Sequence, residues 1–324
     1  MHPFTYYRPS SLDDALSRLA GRNAAPLGGG TDLLVLLKEG LGAPDELVDL
    51  RVLPGYHDIV LSADGGARIG AGARVSDLAA RAEIRRRFPA LAEACDAVGT
   101  TALRHMGTLG GNLCQRPRCW YFRRGISCLK SGGDRCWAAE GENQYHAILE
   151  GGPCYIVHPS DPAVALTALD AAIEVRGAAG MRRVPIGEFY VLPMNRIEHE
   201  TVLQAGEVVT AVEIPAASAG GWQRYWKLMQ RGSWDFALVS LAAVRRRDGG
   251  VRLVMGGVAP RPWRVPLSVE EDVAGGGLDP HDVATLADRA LYDARPLAKN
   301  GYKVDMAAAL LRRSITELGR AAPV

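Results

Sequence analysis

The chain is predicted to fold as α+β, with an N-terminal unit over residues 1–217 and a C-terminal unit over 218–324. Three observations carry this expectation. Short helix-period and strand-period segments alternate along the 324 residues, 37 glycines and 19 prolines punctuate them, and at 215–221 the run Pro-Ala-Ala-Ser-Ala-Gly-Gly interrupts every pattern. The length suffices to bury more than one hydrophobic core, and 48% apolar with 23% charged residues is ordinary globular composition.

Taken in order, residues 10–19 carry an N-cap serine, early acids and apolar residues spaced for one helical face. A short apolar run at 24–27, the triple glycine Gly28-Gly29-Gly30 and a helical pattern reaching Lys38 read as strand, tight loop and helix. Strands are expected at 46–50, 58–61 and 67–75, and helices at 76–84 and 90–98. A second glycine loop follows at 106–113, after which periodicity is lost until about residue 154. A helix at 162–170 and strands near 172–176 and 208–214 complete the first unit. The second unit begins at Trp222, with strands at 225–228, within 236–244 and at 251–254, and helices at 280–292 and 303–318.

With 38 basic and 36 acidic residues the net charge is +2, too small for a nucleic-acid binder, so Arg85-Arg86-Arg87 and Arg245-Arg246-Arg247 read as solvated faces. No run of eighteen apolar residues predicts a membrane span, and the opening residues lack an apolar core of signal-peptide length.

Three consecutive glycines let backbone amides approach a ligand without side-chain obstruction, and adjacent N–H groups at a helix start suit an anion such as phosphate. An isolated triple glycine is more simply a turn, and the spacing after Gly30 departs from the Rossmann fingerprint Gly-x-Gly-x-x-Gly. The second loop, Gly107-Thr108-Leu109-Gly110-Gly111-Asn112, adds a hydroxyl and an amide able to hydrogen-bond a large cofactor.

Five of six cysteines crowd one segment: Cys114, then Cys119-x8-Cys128-x7-Cys136-x17-Cys154. Such crowding points to metal or cluster ligation. Residues 115–135 hold Arg116, Arg118, Arg123, Arg124, Lys130 and Arg135 against the single acid Asp134, which suits an anionic iron–sulfur cluster. Trp120, Tyr121, Phe122, Trp137 and Tyr155 are placed to shield it. From spacing alone a structural zinc, with His146 or His158 recruited, stands level with a cluster, and disulfides are a further option. Cys95, among Ala92, Ala94 and Val98, reads as a buried core thiol.

Leu27-Gly28-Gly29-Gly30-Thr31-Asp32-Leu33, Gly107-Thr108-Leu109-Gly110-Gly111-Asn112-Leu113 and His158-Pro159-Ser160-Asp161-Pro162 resemble, in order, the flavin-binding motifs of the medium subunits of xanthine dehydrogenases and carbon monoxide dehydrogenases. Tyr225-Trp226-Lys227-Leu228 and Ser233-Trp234-Asp235-Phe236-Ala237 extend the resemblance into the second unit. The cysteine-bearing stretch, an insertion at about 114–157 that separates Asn112 from Ser160 by 47 residues, is similar to that of flavoprotein subunits of periplasmic aldehyde oxidoreductases and, more distantly, of 4-hydroxybenzoyl-CoA reductase.

The resemblance implies a two-subdomain FAD-binding unit of the PCMH type, not Rossmann, followed by a domain of the CO dehydrogenase flavoprotein C-terminal type. It implies that Pro26, Leu27, Gly28, Gly29, Gly30, Thr31, Asp32 and Leu33 wrap the FAD diphosphate. Gly107, Thr108, Gly111 and Asn112 would lie toward the flavin, Asp161 would bind a hydroxyl of the FAD chain, and Lys227, otherwise an ordinary surface lysine, would sit near the isoalloxazine. It breaks the tie in favour of a [4Fe-4S] cluster on Cys119, Cys128, Cys136 and Cys154, with Cys114 left beside the flavin. No catalytic residue is assigned. The implied partners are a large molybdopterin subunit, a small subunit with two [2Fe-2S] centres, and an electron acceptor. The substrate is an aldehyde or an aromatic carbon, with the reverse electron flow of a reductase as an alternative. A self-contained flavin oxidase with structural zinc is the rival reading. The expected compartment is the cytoplasm by default, or the periplasm through export with a partner.

Overall fold

The computed structural model describes residues 1–21 and 23–320. It begins with a small parallel sheet in which strand Glu46–Asp49 lies between Thr5–Tyr7 and Ala24–Leu27, pairing Glu46 with both Thr5 and Ala24. Helix Leu12–Gly21 packs Ala15, Leu16 and Leu19 inward, the three- and four-residue spacing that makes one apolar face. Helix Leu33–Lys38 follows the triple glycine. This is the strand, loop and helix order expected from the sequence.

A five-stranded antiparallel sheet forms the other half of the first unit, in the order Ile59–Leu61, Ala67–Gly70, Val208–Ile214, Ala172–Gly177, Gly180–Pro185. Ala172–Gly177 alternates between half-buried and buried positions, which is the period-2 signature of a sheet with one covered face. The helical stretch after residue 74 is three helices, Val75–Ala80, Ala82–Arg87 and Pro89–Asp96, broken at Arg81 and at fully buried Phe88 ahead of Pro89.

The second glycine segment differs from the expected loop. Residues Leu109–Leu113 form a short helix, with Thr108 as N-cap accepting from Gly111 N at 3.2 Å. The amides of Leu109 and Gly110 donate to Ala73 O and Ala71 O, both at 2.8 Å, so the segment is stitched to the end of strand Ala67–Gly70. Gly110 belongs there because a Cβ would stand 2.8 Å from Ala71 Cβ.

The four-stranded antiparallel sheet of the second unit runs in the order Trp263–Arg264, Val251–Gly256, Val239–Arg245, Trp222–Leu228. Tyr225, Ala242, Val244 and Val254 join the core of the first unit, while Trp226, Leu241, Ala243, Leu253 and Met255 pack with helices Pro280–Ala290 and Tyr302–Arg320. Both faces are therefore covered, and this explains why strand Val239–Arg245 is apolar at nearly every position. Helix Asp161–Ala168 is buried at all eight residues because it lies in the core that the two units share.

The run at 215–221 between the two units is not a free tether. Gln223 Nε2 donates to Ser218 O, Gly220 O and Arg87 O, and Ser218 is buried. No helix among the described residues is long and apolar enough to cross a membrane.

Candidate functional site

The two glycine segments touch each other directly. A Cβ on Gly29 would fall 1.9 Å from Met106 O, and one on Gly28 would fall 2.7 Å from Thr108 Oγ1. Gly30 has φ +72°, a left-handed conformation that favours glycine. Gly29 is thus demanded by backbone packing and Gly28 by the Thr108 side chain, quite apart from any ligand.

Beside this junction lies a cavity of about 430 Å³, lined by Pro26, Gly28, Gly29, Gly30, Thr31, Asp32, Leu33, Thr108, Gly111, Cys114 and Gln115 among others. Leu27 is not part of that lining and is only 6% exposed, so its side chain belongs to the core and not to the expected wrap. A second cavity of about 240 Å³ shares Thr31, Thr108 and Gln115 with the first and adds Gly107, Asn112, Arg118, Asp161 and Lys227. The resemblance-derived residues, Leu27 excepted, therefore line two adjoining spaces of ligand size.

At the far end of the second cavity, Lys227 is the reverse of a surface lysine. Its Nζ donates to Asp161 Oδ2 at 2.8 Å and to Ala97 O at 2.9 Å, with the side chain 4% exposed. Asp161 Oδ1 accepts from Tyr225 Oη at 2.6 Å. Burial raises the Asp161 carboxyl above its ordinary value, with the Lys227 charge opposing that shift. Asp161 is thus engaged at both oxygens by protein groups. In the sequence Tyr225 carries no role beyond its place in the Lys227-bearing segment, although its position two residues before Lys227 on one strand puts both on the same face.

Asp32 also has another role than expected. Its carboxylate accepts from Arg116 N and Arg123 Nη2, each at 2.8 Å, and pairs with Arg118 Nη1 at 3.0 Å. It ties the first glycine segment to the start of the cysteine-bearing stretch. Arg118, half-closed between the cavities, is lowered to about 10, chiefly by burial.

Cys119, Cys128, Cys136 and Cys154 all line one small cavity of about 10 Å³, together with Tyr121, Phe122, Lys130 and Trp137. Cys114 lines the glycine cavity instead, its thiol pushed up to about 12 by burial, and Cys95 is fully buried in the core. A hydrogen bond from Cys154 lowers the Cys136 thiol, and burial raises Cys119 to about 11. Among the described residues, no three His, Cys, Asp or Glu side chains converge closely enough to ligate a single metal ion. Lys130 Nζ reaches Glu200 Oε1 at 2.6 Å and Ile197 O at 2.7 Å. The stretch is also strapped to the second unit, for Lys303 Nζ donates to Tyr145 O, His146 O and Gly257 O. A third cavity, about 340 Å³, shares Arg118 and Asp161 with the second cavity and Cys119 with the cysteine cavity.

An α+β pair of units with two adjoining cavities lined by two glycine segments, and four cysteines around a third space, suits the binding of a large cofactor. Residues 2–217 match the FAD binding domain in molybdopterin dehydrogenase, and 224–318 match the CO dehydrogenase flavoprotein C-terminal domain. The chain is 36% identical over 322 residues to the aldehyde oxidoreductase FAD-binding subunit PaoB of Escherichia coli (strain K12), covering 98% of each. It is 29% identical over 303 residues to the glyceraldehyde dehydrogenase medium chain of Sulfolobus acidocaldarius, covering 91% of this chain and 90% of that one. Its fold superposes on reconstituted CO dehydrogenase from Oligotropha carboxidovorans with a TM-score of 0.76 at 23% identity, covering 99% of both chains. The protein belongs to the FAD-binding medium subunits of the molybdenum hydroxylase and CO dehydrogenase family, a family of oxidoreductase subunits.

Proposed function

We propose that this subunit holds FAD across the two adjoining cavities and a [4Fe-4S] cluster on Cys119, Cys128, Cys136 and Cys154, and carries electrons during oxidation of an aldehyde. The observation that supports this reading most is the meeting, around one space, of both glycine segments with the buried Asp161–Lys227 pair. When bound, FAD would take or give electrons one or two at a time, which lets it join one-electron iron–sulfur centres to a two-electron acceptor.

The chain's own residues set the conditions for that chemistry. The bare backbone of Gly28–Gly30 and the exposed Gly111 leave room for a diphosphate, while Asn112, Asp161 and Lys227 face the flavin end. The Lys227 cation favours negative charge on a reduced ring beside it. Four thiols around one cavity, walled by aromatic rings and a buried lysine, suit an iron–sulfur cluster in number and softness. The cavity has room for about one water, so loading requires the thiols to swing apart. The aldehyde substrate is favoured by the likeness to PaoB. A large molybdopterin subunit and a small [2Fe-2S] subunit are the proposed partners.

The test uses two glycines. A Cβ on Gly111 meets only Thr108 Oγ1, at 3.0 Å, a side-chain contact, so Gly111→Val intrudes on the ligand cavity at the cost of a small shift of the Thr108 side chain. Gly29→Val strikes Met106 O and disturbs the backbone itself. The complex carrying Gly111→Val is expected to keep its melting temperature and lose FAD; retention of full flavin content would refute the diphosphate placement.

A further inference from the structure

Cys119 lines both the four-cysteine cavity and the third cavity, which shares Arg118 and Asp161 with the space that holds Lys227, and His146 stands beside it on the third cavity. His146 Nε2 lies 3.3 Å from Cys119 Sγ. The ring is fixed from several directions. The His146 backbone N–H donates to Asn143 O at 3.0 Å, and its carbonyl accepts from Asn300 Nδ2 and Lys303 Nζ, each at 3.1 Å. Trp120 and Tyr121 pack against it with centroids at 6.3 and 6.4 Å, and the residue is 4% exposed.

The other ring nitrogen, Nδ1, is buried without a hydrogen-bond partner. A proton there would be an unsatisfied buried donor, whereas a proton on Nε2 finds the sulfur, so the tautomer with hydrogen on Nε2 is favoured. A thiolate sulfur that accepts an N–H bond holds its charge more readily. A metal centre bound to that sulfur is then easier to reduce, since reduction adds one electron and increases the negative charge facing the donor.

We propose that His146 is a positioning residue that donates Nε2–H to the Cys119 sulfur and raises the reduction potential of the cluster. This rests on the cluster assignment above, and it adds a device for biasing electrons at the cysteine that borders both the cysteine cavity and the third cavity. His146 is not itself a ligand in this account.

The test is a dithionite redox titration of the purified complex, with electron paramagnetic resonance reading the cluster and absorbance reading the flavin. His146→Phe keeps a ring and removes the donor; His146→Gln keeps an N–H donor. The expected result is unchanged iron and sulfide content in both variants, a lower cluster potential in His146→Phe, restoration toward wild type in His146→Gln, and an unmoved flavin potential. An unshifted potential in His146→Phe with the cluster intact overturns the proposal, and so does loss of iron, which would make His146 a ligand. Should His146→Phe not fold, pulsed resonance on the reduced wild-type complex decides. A weak coupling to imidazole nitrogen, moved by ¹⁵N-histidine labelling, is expected, and its absence overturns the proposal. A wild-type complex without iron would instead defeat the cluster assignment, so the two failures are separable.

Discussion

Lys227 Nζ and Asp161 Oδ2 lie 2.8 Å apart, at 4% and 6% side-chain exposure, joining the strand that opens the second unit to the helix at the centre of the first. Each leaves the other's charge uncompensated if removed, because neither has water at hand.

Lys227→Met is therefore expected to destabilise the protein by about 3–5 kcal/mol and to weaken flavin retention. Urea unfolding at neutral pH, with and without added FAD, measures both effects. Lys227→Met combined with Asp161→Asn should recover much of the lost stability, since no lone charge remains. A single variant as stable as wild type would mean that the pair is solvated in solution.

Cys128→Ser or Cys136→Ser should remove cluster iron, whereas Cys114→Ser should keep it, because Cys114 lines the glycine cavity and the others line the cysteine cavity. Iron and acid-labile sulfide on the purified complex are the readouts. Equal iron loss at Cys114 would reject this choice of ligands.

His158 is held neutral: burial pushes its imidazole down to about 3 from an ordinary 6.5, and its Nδ1 accepts from Ser160 N at 3.4 Å. Between those two values the unfolded chain binds more protons than the folded one. Stability is full above about 6.5 and falls on acidification through that window, by at most roughly 1.4 kcal/mol per pH unit from this residue. His158→Gln should flatten the loss seen in urea unfolding between neutral pH and about 5. An identical slope in variant and wild type would contradict the buried, neutral assignment.

The sequence made some of this visible and hid the rest for definable reasons. The apolar run within 236–244 and the helix at Tyr302–Arg320 were legible because their periodicity reports burial directly. Helix Leu267–Gly275 was missed because an acid, Glu270, occupies its inward face, satisfied there by Arg264 and by Leu253 N. Strand Gly180–Pro185 lies at a sheet edge with only Val184 buried, so no alternation marks it. The three glycines stand out in the sequence as a ligand loop, but their tightest demand is the backbone of Met106, more than seventy positions away, which spacing does not reveal. The same holds for Asp32. Its arginine partners are 84 to 91 residues distant, and a carboxylate in a phosphate-loop motif carries no mark that it clamps another segment. Cysteine crowding, by contrast, is local, and four thiols of one stretch do line one cavity.

The most direct measurement is the flavin, iron and acid-labile sulfide content of the wild-type protein, purified anaerobically with its partners, alongside its visible spectrum. One FAD per chain is expected, with broad iron–sulfur absorption that exceeds what the partner's [2Fe-2S] centres supply and disappears in Cys136→Ser. Flavin absent even after reconstitution, or zinc in place of iron and sulfide on this chain, would contradict it.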